Sequence, residues 1–344
     1  MMRKLLNTLY VTSPDKYLSL DGENIVVLAD GREAGRVPLH NLEGIVTFGY
    51  SGASPALMGY CARNGISLSF HSPSGRFLAE ITGGLRGNVT LRKTQYRLSD
   101  NEQESAIIGR NMIIGKVYNS RWVLERATRD HPDRVDVEAL KKTSSYLQEI
   151  LAQLESCESL DKIRGMEGNA ASKYFEVFDE LILRNKDSFF FRERNRRPPL
   201  DNVNALLSFI YTLLSQMTSA ALSAAGLDPY VGFLHRDRPG RASLALDLME
   251  ELRPVLADRF VVSIINRQVV SPKDFIEKEN GAVILTDDAR RKVIDAWQKK
   301  KQEVIRHPFL DEKIEWGLIS YTQALLLARF LRGDIDAYPP FMWK

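Results

Sequence analysis

The sequence predicts an α+β protein of two domains, in which a small β-rich domain precedes a larger, mainly helical one. Short runs of β-branched and aromatic residues, separated by Asp-Gly and Pro-Ser-Gly turn signals, fill the first part of the chain. Farther along, apolar residues recur at the spacing of an α-helix instead. We therefore expect an N-terminal β-rich domain over residues 1–86, a linker over 87–101 and a helical domain over 102–344.

One helix is predicted among the strands of the first domain. Ser54 is a good N-cap, and Pro55 is tolerated at the first helical position because its missing N–H would have no partner there. Gly83, Gly84 and Gly87 predict a hinge between the two domains. Strands are predicted at residues 5–11, 17–20, 24–29, 44–48 and 66–70.

The second domain is predicted to be helical, with one small hairpin. Residues 102–129 carry apolar side chains such as Ile108 and Met112 at helical spacing. Asn280-Gly281 followed by "AVIL" is typical of a tight β-hairpin. Further helices are predicted at 135–156, 166–183, 200–225, 243–267, 287–305 and 313–332.

The composition is that of a globular protein in a reducing compartment. Of 344 residues, 44% are hydrophobic and 26% are charged, close to the average of soluble domains, and the net charge of +3 does not by itself indicate a nucleic-acid partner. Cys61 and Cys157 are expected to be buried thiols. With no signal peptide and no apolar run near the roughly 20 residues of a spanning helix, we expect a cytoplasmic protein without a membrane partner.

The stretch "GFLHRDRPGRASLALDLMEELRP", residues 232–254, places a histidine, His235, ahead of an acidic cluster. At about 100° per residue, Asp247, Glu250 and Glu251 lie on one side of the predicted helix, opposite an apolar stripe. Like charges at this spacing disfavour a helix unless a cation or a basic partner offsets them. A metal site that includes the histidine is one interpretation. An ordinary loop followed by a solvated helix face is the other.

A further acid, Glu167, stands in the stretch "RGMEGNAASKYF". Its neighbours are small, so another backbone or a phosphate could approach closely. The predicted helix over 166–183 would also place Glu167 near a helix N-terminus, where a carboxylate is favoured. The alternative is that Glu167 only complements the helix dipole.

Basic residues are concentrated in two segments. The first, residues 184–197, has a net charge of +4 and includes three consecutive phenylalanines, which suits contacts with phosphates and stacking on bases. The second comprises residues 290–292 and 299–301. A solvated surface is the alternative for each. The predicted DNA contacts of the first segment are Arg184, Lys186, Arg192, Arg194, Arg196 and Arg197.

Other chemistries find little support in the sequence. His40, His71, His131 and His307 lack acidic or cysteine partners at metal-ligand spacing, so we interpret them as structural or surface residues. The chain has no Walker-type glycine loop, no Gly-x-Ser-x-Gly elbow and no dinucleotide fingerprint. Nucleotide hydrolysis and redox chemistry are therefore not expected.

Three motifs in order, on this domain layout, resemble one family. "GMEGNAA", "RRPPLDNVNALLSFIYTLL" and "GFLHRDRPGRASLALDLMEELRP" follow one another behind the β-rich domain. In this combination the chain is similar to CRISPR-associated protein one, the DNA endonuclease and integrase of CRISPR adaptation. The similarity runs over essentially the whole chain and is nearest to the type I-C form.

Matched position by position, the resemblance implies that Glu167, His235 and Glu250 bind the metal ion. Asp247 is implied as the accompanying catalytic acid one helical turn before Glu250. Many members of the family carry Asp where this chain has Glu250. A mixed carboxylate and imidazole set suits Mg²⁺ or Mn²⁺. Whether Asp247 or Glu251 also binds the ion is left open by the spacing.

The resemblance also implies a reaction and partners. Family members join the 3′-hydroxyl ends of captured DNA fragments to the CRISPR repeat by transesterification, and with water as the nucleophile the same site cuts DNA. Asn204 and Tyr211 are implied to shape the active centre, and Arg241, in the loop of His235, is expected to contact DNA. The implied assembly is a homodimer formed through the β-rich domains, bound to CRISPR-associated protein two.

Two other functions are compatible with the same residues. The first is a stand-alone metal-dependent nuclease that cuts branched DNA in repair, which would not need a protein partner to act. The second is a non-catalytic DNA-binding scaffold whose acids are merely solvated. The presence of all three implied ligands argues against the scaffold.

Overall fold

The computed structural model describes residues 8–42, 44–73, 77–81 and 89–344. A β-rich N-terminal region precedes a helical region, which confirms the predicted α+β class. The strands of the first region are β1 (Thr8–Val11), β2 (Tyr17–Asp21), β3 (Asn24–Ala29), β4 (Arg32–Pro38), β5 (Gly44–Phe48), β6 (Ser67–His71) and β7 (Phe77–Ile81).

These strands form two sheets. In the order β1-β5-β6-β7, the first three strands run parallel and β7 is antiparallel to β6, whereas β2, β3 and β4 form an antiparallel meander. Parallel neighbours need a crossover, and helix α1 (Pro55–Asn64) provides it between β5 and β6. As predicted, Ser54 caps this helix, its hydroxyl accepting a hydrogen bond from the Leu57 N–H at 3.2 Å.

Two strands of the first region were not predicted. Strand β4 is mostly exposed, so it lacks the apolar alternation by which a half-buried strand is recognised. Strand β7 was not predicted although the Pro-Ser-Gly turn signal at residues 73–75 precedes it. The predicted hinge at Gly83, Gly84 and Gly87 lies outside the described residues.

The helical region is built from nine α-helices in the described residues, of which α3 is the longest. Most lie within a few residues of the predicted helices. They are α2 (Val89–Ser99), α3 (Glu102–Asp130), α4 (Val137–Glu155), α5 (Leu160–Glu176), α6 (Asn202–Ala224), α7 (Ser243–Glu250), α8 (Arg259–Asn266), α9 (Asp287–Gln302) and α10 (Ile319–Leu331).

Two helix boundaries differ from prediction in ways that matter. The segment predicted as a linker over 87–101 is helical from Val89 to Ser99, because Leu91 buries its side chain in the core. Helix α5 begins at Leu160, where the hydroxyl of Ser159 provides the N-cap. Glu167 is therefore in the middle of a helix, and its predicted position near a helix N-terminus is wrong.

The predicted helix over 243–267 is interrupted but not ended by Pro254. Helix α7 ends at Glu250, a π-helical segment spans Arg253–Asp258, and α8 continues from Arg259. A proline inside a helix removes one N–H and crowds the preceding turn, and a wider π-turn accommodates both effects. The interruption falls directly after the acidic cluster and turns Arg253 back towards it.

The helical region also contains two short β-hairpins. Strands β8 (Phe275–Glu277) and β9 (Val283–Leu285) pair antiparallel across the predicted Asn280-Gly281 turn, which confirms that hairpin. Strands β10 (Val304–Arg306) and β11 (Lys313–Glu315) form a second one that was not predicted. Each of its strands has only three residues, too few for a pattern of alternation.

Helix α6 is the central helix of the core. Its length and composition would allow it to cross a membrane, but 56% of its most apolar window is buried inside the protein, which identifies it as a core helix. The ring of Phe209 on α6 lies 5.9 Å from that of Phe48 on β5, so the N-terminal sheet packs against the same core. Cys61 and Cys157 are free and buried, as predicted.

Candidate metal and nucleic-acid site

The loop that carries His235 is held by one buried carboxylate, that of Asp247 on α7. Its Oδ2 accepts the backbone N–H groups of Phe233 and Leu234 at 2.7 and 2.9 Å, and its Oδ1 accepts that of His235 at 2.9 Å. A side chain at Gly232 would lie 2.8 Å from Asp247 Oδ2, so glycine is needed for this close approach. Asp247 is fully buried and is not the solvated acid of the alternative interpretation.

Asp247 also orients the histidine ring. His235 Nδ1 lies 2.5 Å from Asp247 Oδ1, an oxygen that also accepts the backbone N–H of His235, so we assign the donor hydrogen to Nδ1. The lone pair is then on Nε2, the opposite ring nitrogen. Metal-binding histidines usually have this arrangement, in which a carboxylate holds one ring nitrogen and the other binds the ion.

Glu250, one turn after Asp247, is 2% exposed and faces two cations. Lys116 Nζ on α3 lies 2.7 Å from Oε2, and Arg253 lies 2.9 Å from Oε1. Burial alone would raise the pKa of Glu250, but the charges of Arg253 and Lys116 outweigh it and lower the pKa to about 2. The carboxylate is thus ionised at every physiological pH, as a metal ligand must be.

Lys116 connects Glu250 to Glu167. Its ammonium also donates to Glu167 Oε1, so one cation holds carboxylates that are 83 residues apart in the sequence. Lys116 is 11% exposed and Glu167 28% exposed, which places the pair at the mouth of the site. The structure thereby brings Glu167 and Glu250 together, as the resemblance implied.

The donor set suits a divalent cation, although its members are spread more widely than the ligands of a bound ion. Among the residues that the structure describes, no three His, Cys, Asp or Glu side chains stand at metal-binding distance, and Glu250 Oε2 is buried without a hydrogen bond. The ammonium of Lys116 pairs with that oxygen at 2.7 Å. Two carboxylates and one imidazole nitrogen match the ligands that Mg²⁺ and Mn²⁺ prefer.

Glu251, the next residue, points away from this cluster. Its carboxylate accepts hydrogen bonds from the Phe341 N–H at 2.6 Å, from Gln323 Nε2 at 3.1 Å and from the Tyr338 hydroxyl. Burial raises its pKa to about 7, against the lowering effect of these three donors. All three belong to α10 and the C-terminal segment, so Glu251 is engaged in the fold and is not available as a ligand.

A second buried network supports Glu250 from the side of α6. The hydroxyl of Tyr211 donates to Asp258 at 2.6 Å, and the Tyr211 ring lies between the guanidinium groups of Arg194 and Arg253 at 5.3 and 5.1 Å. Burial raises the pKa of Asp258 to about 6. Tyr211 thus orders Arg253, which in turn holds Glu250.

The basic segment over 184–197 is anchored next to this network. Arg194 donates to Asn204 Oδ1 at 2.7 Å, and Asn204 Nδ2 donates to the carbonyl of Glu193 at 2.8 Å. Phe189 and Phe191 are buried and fix the segment to the core, whereas Phe190 is 37% exposed with Arg192 over its ring. Arg194 therefore differs from its neighbours: it is mostly enclosed and contacts the site.

The remaining predicted DNA contacts lie at the surface. Lys186 pairs with Asp179 at 3.2 Å, and Arg241, in the loop of His235, is only half-buried. A pocket of about 310 Å³ opens beside His235, lined on its other side by Arg164 and Asp161. Surface positions with side chains turned to solvent are Arg184, Arg192, Arg196 and Arg197.

The sequence interpretation missed Lys116, Arg253 and Asp258. Lys116 had a recognisable signal, because it is the one charge in the stretch "MIIGKVY" and shares a helix face with Met112 and Asn119, both of which are buried. A lysine on an otherwise buried face usually has a carboxylate partner. Arg253 and Asp258 gave no such signal, since their positions depend on the π-helical turn.

The sequence matches one family of known proteins. A family model described as "CRISPR associated protein Cas1" covers residues 9–299. A CRISPR-associated endonuclease Cas1 of Chlorobaculum tepidum is 50% identical over 343 residues, covering 100% of both chains. Another from Rhodospirillum rubrum is 52% identical over 347 residues, again covering 100% of both.

Solved structures share the fold at low sequence identity. A casposase bound to its integration product has a TM-score of 0.83 at 23% identity, covering 97% of this chain and 93% of that one. A Cas1 protein from Thermotoga maritima has a TM-score of 0.82 at 20% identity, covering 95% and 97%. A Cas6-RT-Cas1–Cas2 complex chain has a TM-score of 0.83 at 24% identity, covering 100% of this chain and 37% of that one.

Proposed function

This chain belongs to the Cas1 family of CRISPR-associated proteins and is an endonuclease of that family, and we propose that it acts as the metal-dependent integrase of CRISPR adaptation. In this proposal it joins the 3′-hydroxyl ends of captured DNA fragments to the CRISPR repeat. The observation that carries it is the cluster of Glu167 and Glu250 around one cation, beside an imidazole whose Nδ1 is held by Asp247.

The residues of the chain prepare the site before any substrate arrives. Asp247 fixes the tautomer of His235, so that Nε2 presents its lone pair. Arg253 orients Glu250 from the side opposite Lys116, and Tyr211 fixes Arg253 by stacking. Mg²⁺ or Mn²⁺ bound by Glu167, His235 and Glu250 would supply polarisation of the scissile phosphate and stabilisation of the departing oxygen.

The proposed reaction exchanges one phosphodiester for another. The 3′-oxygen of the fragment forms a bond to phosphorus in the repeat while the bond from that phosphorus to its own 3′-oxygen breaks. The proton of the attacking hydroxyl passes by way of solvent to the departing oxygen. Because the number of phosphodiesters is unchanged, no nucleotide triphosphate is needed.

The basic segment is proposed to bind the DNA backbone next to this centre. Arg192, Arg196 and Arg197 are exposed, and the stacking of Arg194 on Tyr211 ties the segment to the side of the site where Glu250 lies. Guanidinium groups near the scissile phosphate also neutralise the charge that develops on it. Arg184, Lys186 and Arg241 extend this surface in the proposal.

The proposed partners follow from the family. We expect a homodimer formed through the β-rich regions, double-stranded DNA as the substrate, and association with Cas2 in the cytoplasm. The likeness in fold to a Cas6-RT-Cas1–Cas2 complex chain supports the last of these partners. The type I-C assignment remains a prediction.

A strand-transfer assay tests the proposal. Labelled duplex fragments and a supercoiled plasmid carrying a CRISPR repeat are incubated with the wild type, with or without Cas2, in Mn²⁺ or EDTA. Glu167→Gln should abolish metal-dependent joining. Glu176→Gln is the matched control, because Glu176 lies on the same helix, is exposed and pairs with Lys173.

The outcomes separate the candidate functions. Joining that needs Mn²⁺ and Glu167 supports the integrase. Joining by Glu167→Gln at the rate of the wild type would contradict the assigned site. Cutting of branched DNA without joining, even when Cas2 is present, would favour the repair nuclease.

A further inference from the structure

Lys116 occupies an unusual position for a lysine. It lies on the face of α3 that also carries Met112, Asn119 and Val123, and all four residues are buried. A lysine in such a place must keep its charge compensated, because an unpaired buried ammonium is costly. The compensation comes from Glu167 and Glu250, the residues proposed to bind the metal ion.

The carboxylates of Glu167 and Glu250 already have cationic partners without a divalent ion. They face Lys116 and Arg253, while Asp247 beside them holds His235. A divalent ion between Glu167 and Glu250 would be repelled by both cations in a site that is mostly enclosed. The cation that lies between the two carboxylates must therefore withdraw when the ion binds.

The geometry shows which cation it is. Arg253 contacts Oε1 of Glu250 at 2.9 Å and is fixed by its stacking on Tyr211. Lys116 contacts Oε2 of Glu250 and also Glu167, so its ammonium holds the position between the carboxylates. The ammonium of Lys116 lies 2.7 Å from Glu250 Oε2 and forms an ion pair with it. The flexible lysine stem can turn away, whereas the stacked guanidinium is held in place.

We propose that Lys116 is an internal counter-ion that occupies the place of the metal ion and competes with it. This inference rests on the proposed metal-dependent function. In the metal-free protein Lys116 keeps Glu167 and Glu250 near each other and compensates their charge, so these two carboxylates are already neighbours before the ion arrives. The cost of displacing the ammonium sets the metal concentration at which the site fills.

Removing this charge should therefore have an effect opposite to that of removing a ligand. Lys116→Met keeps most of the apolar stem but leaves the two carboxylates with one cation fewer. Metal affinity should rise, because the ion no longer has to displace a charge. The metal-free protein should become less stable, because Glu167 and Glu250 then repel each other.

Calorimetric titration of the full-length protein with Mn²⁺ tests the proposal without relying on catalysis. The dissociation constant of Lys116→Met should fall about tenfold or more relative to the wild type, as expected for removal of one unit charge beside a partly buried site. Lys173→Met is the matched control, since Lys173 is exposed, lies on α5 and pairs with Glu176 away from the site. Its affinity for Mn²⁺ should equal that of the wild type.

Thermal melting gives a second readout on the same samples. Lys116→Met should melt below the wild type in EDTA and show a larger upward shift with Mn²⁺, because the stabilisation by a bound ligand grows with the logarithm of the ratio of its concentration to Kd. If Lys116→Met does not fold, Lys116→Gln serves in its place, since glutamine removes the charge and keeps a hydrogen-bond donor.

Two results would overturn the proposal, and they are distinguishable. In the first, Lys116→Met binds Mn²⁺ no more tightly than the wild type, while Glu167→Gln loses its affinity. This result would refute the competition between Lys116 and the ion but would leave the metal site intact. Equal Mn²⁺ affinity in the wild type and Glu167→Gln would refute the metal site itself, and the competition with it.

Discussion

Glu250 and Glu251 are neighbours in the sequence, equally buried, and differ in almost every other respect. Glu250 lies between Arg253 and Lys116, whose charges lower its pKa to about 2. Glu251 is surrounded by neutral donors from the C-terminal part of the chain, and its pKa is raised to about 7. Burial disfavours the charge of both, so the difference comes from the partners that each carboxylate faces.

The comparison shows how one helical turn serves two purposes. On the side of Glu250 the charges are concentrated and one oxygen accepts no hydrogen bond within the described residues. On the side of Glu251 the hydrogen bonds are complete: Asn119 donates to the carbonyls of Glu251 and Phe341, both at 2.7 Å, and accepts the Trp343 N–H at 2.9 Å. The first side is arranged for chemistry and the second holds the C-terminal segment against α3.

The largest expected contrast is in activity. Glu250→Gln should lower the rate of DNA joining by more than about 100-fold, since loss of a group that only supports a metal ligand already costs 10- to 100-fold. Glu251→Gln keeps the shape of the side chain on the opposite side and should stay within a few-fold of the wild type. The rates of DNA joining by Glu250→Gln and Glu251→Gln in the strand-transfer assay test this contrast. Equal losses would show that the two acids are not separated in function.

The second contrast is in stability. Glu251→Ala leaves the Tyr338 hydroxyl and the Phe341 N–H without their acceptor, whereas the Gln323 amide still donates to the Tyr338 hydroxyl and to the Pro339 carbonyl. Because each unsatisfied buried group costs on the order of 1–3 kcal/mol, the free energy of unfolding should fall by about 3 kcal/mol or more. Urea denaturation at pH 7 measures it. A decrease of less than about 1 kcal/mol in the free energy of unfolding would mean that the C-terminal segment is held by other contacts.

The third acid of the turn, Asp247, allows a finer test. Asp247→Asn replaces one acceptor oxygen by a donor, so it cannot accept from the loop N–H groups and from His235 Nδ1 together. We expect Mn²⁺ affinity to fall by about 10- to 100-fold, the usual effect of disturbing the group that orients a metal-binding histidine. Titration calorimetry measures the affinity, and circular dichroism confirms that α7 is intact. Unchanged Mn²⁺ affinity in Asp247→Asn would show that His235 is not part of the metal site.

A pair of glycines tests the packing on the side of Glu251. A side chain at Gly115 would lie 2.9 Å from Glu251 Cβ and 3.2 Å from Pro340, whereas one at Gly168 would meet nothing within 4 Å. Gly115→Ala should therefore lower the free energy of unfolding by about 1–3 kcal/mol. Gly168→Ala should raise it by up to about 1 kcal/mol through helix propensity. A change of the same sign in the free energy of unfolding of both variants would contradict the close packing at Gly115.

The smallest expected effect concerns the basic segment. Arg196→Gln with Arg197→Gln should reduce the slope of log affinity against log salt by about 0.9 for each lost phosphate contact on duplex DNA. Fluorescence anisotropy over a range of salt concentrations measures this slope. Arg194→Gln should instead lower the joining rate more than DNA affinity, because Arg194 stacks on Tyr211. An unchanged slope in the double variant would exclude these arginines as phosphate contacts.

Much of the fold could be predicted because local patterns determine it. The N-cap at Ser54, the hairpin at Asn280-Gly281 and the long helices all follow from caps, turns and apolar periodicity. Strand β4 was not predicted because an exposed strand carries no apolar alternation. The predicted start of helix α5 was too far along the chain. Its N-cap, Ser159, stands six residues before the glycine-rich stretch from which the helix was predicted.

The site was predictable in part, and the limits are physical. Spacing showed that Asp247, Glu250 and Glu251 share a helix side, but the direction of each carboxylate depends on partners such as Lys116 and Tyr338 that are distant in the sequence. Spacing alone therefore could not choose between Glu250 and Glu251. The resemblance to a family implied Glu250, and the structure shows that the carboxylate of Glu251 is engaged by Tyr338, Gln323 and Phe341.

The most direct test of this account is a crystal structure of the protein grown with Mn²⁺, with anomalous differences recorded at the manganese edge. We predict one peak within ligand distance of Glu167, Glu250 and His235 Nε2, with the ammonium of Lys116 moved away from both carboxylates. A peak at Glu251, or no peak at a site whose side chains are as described above, would contradict the account.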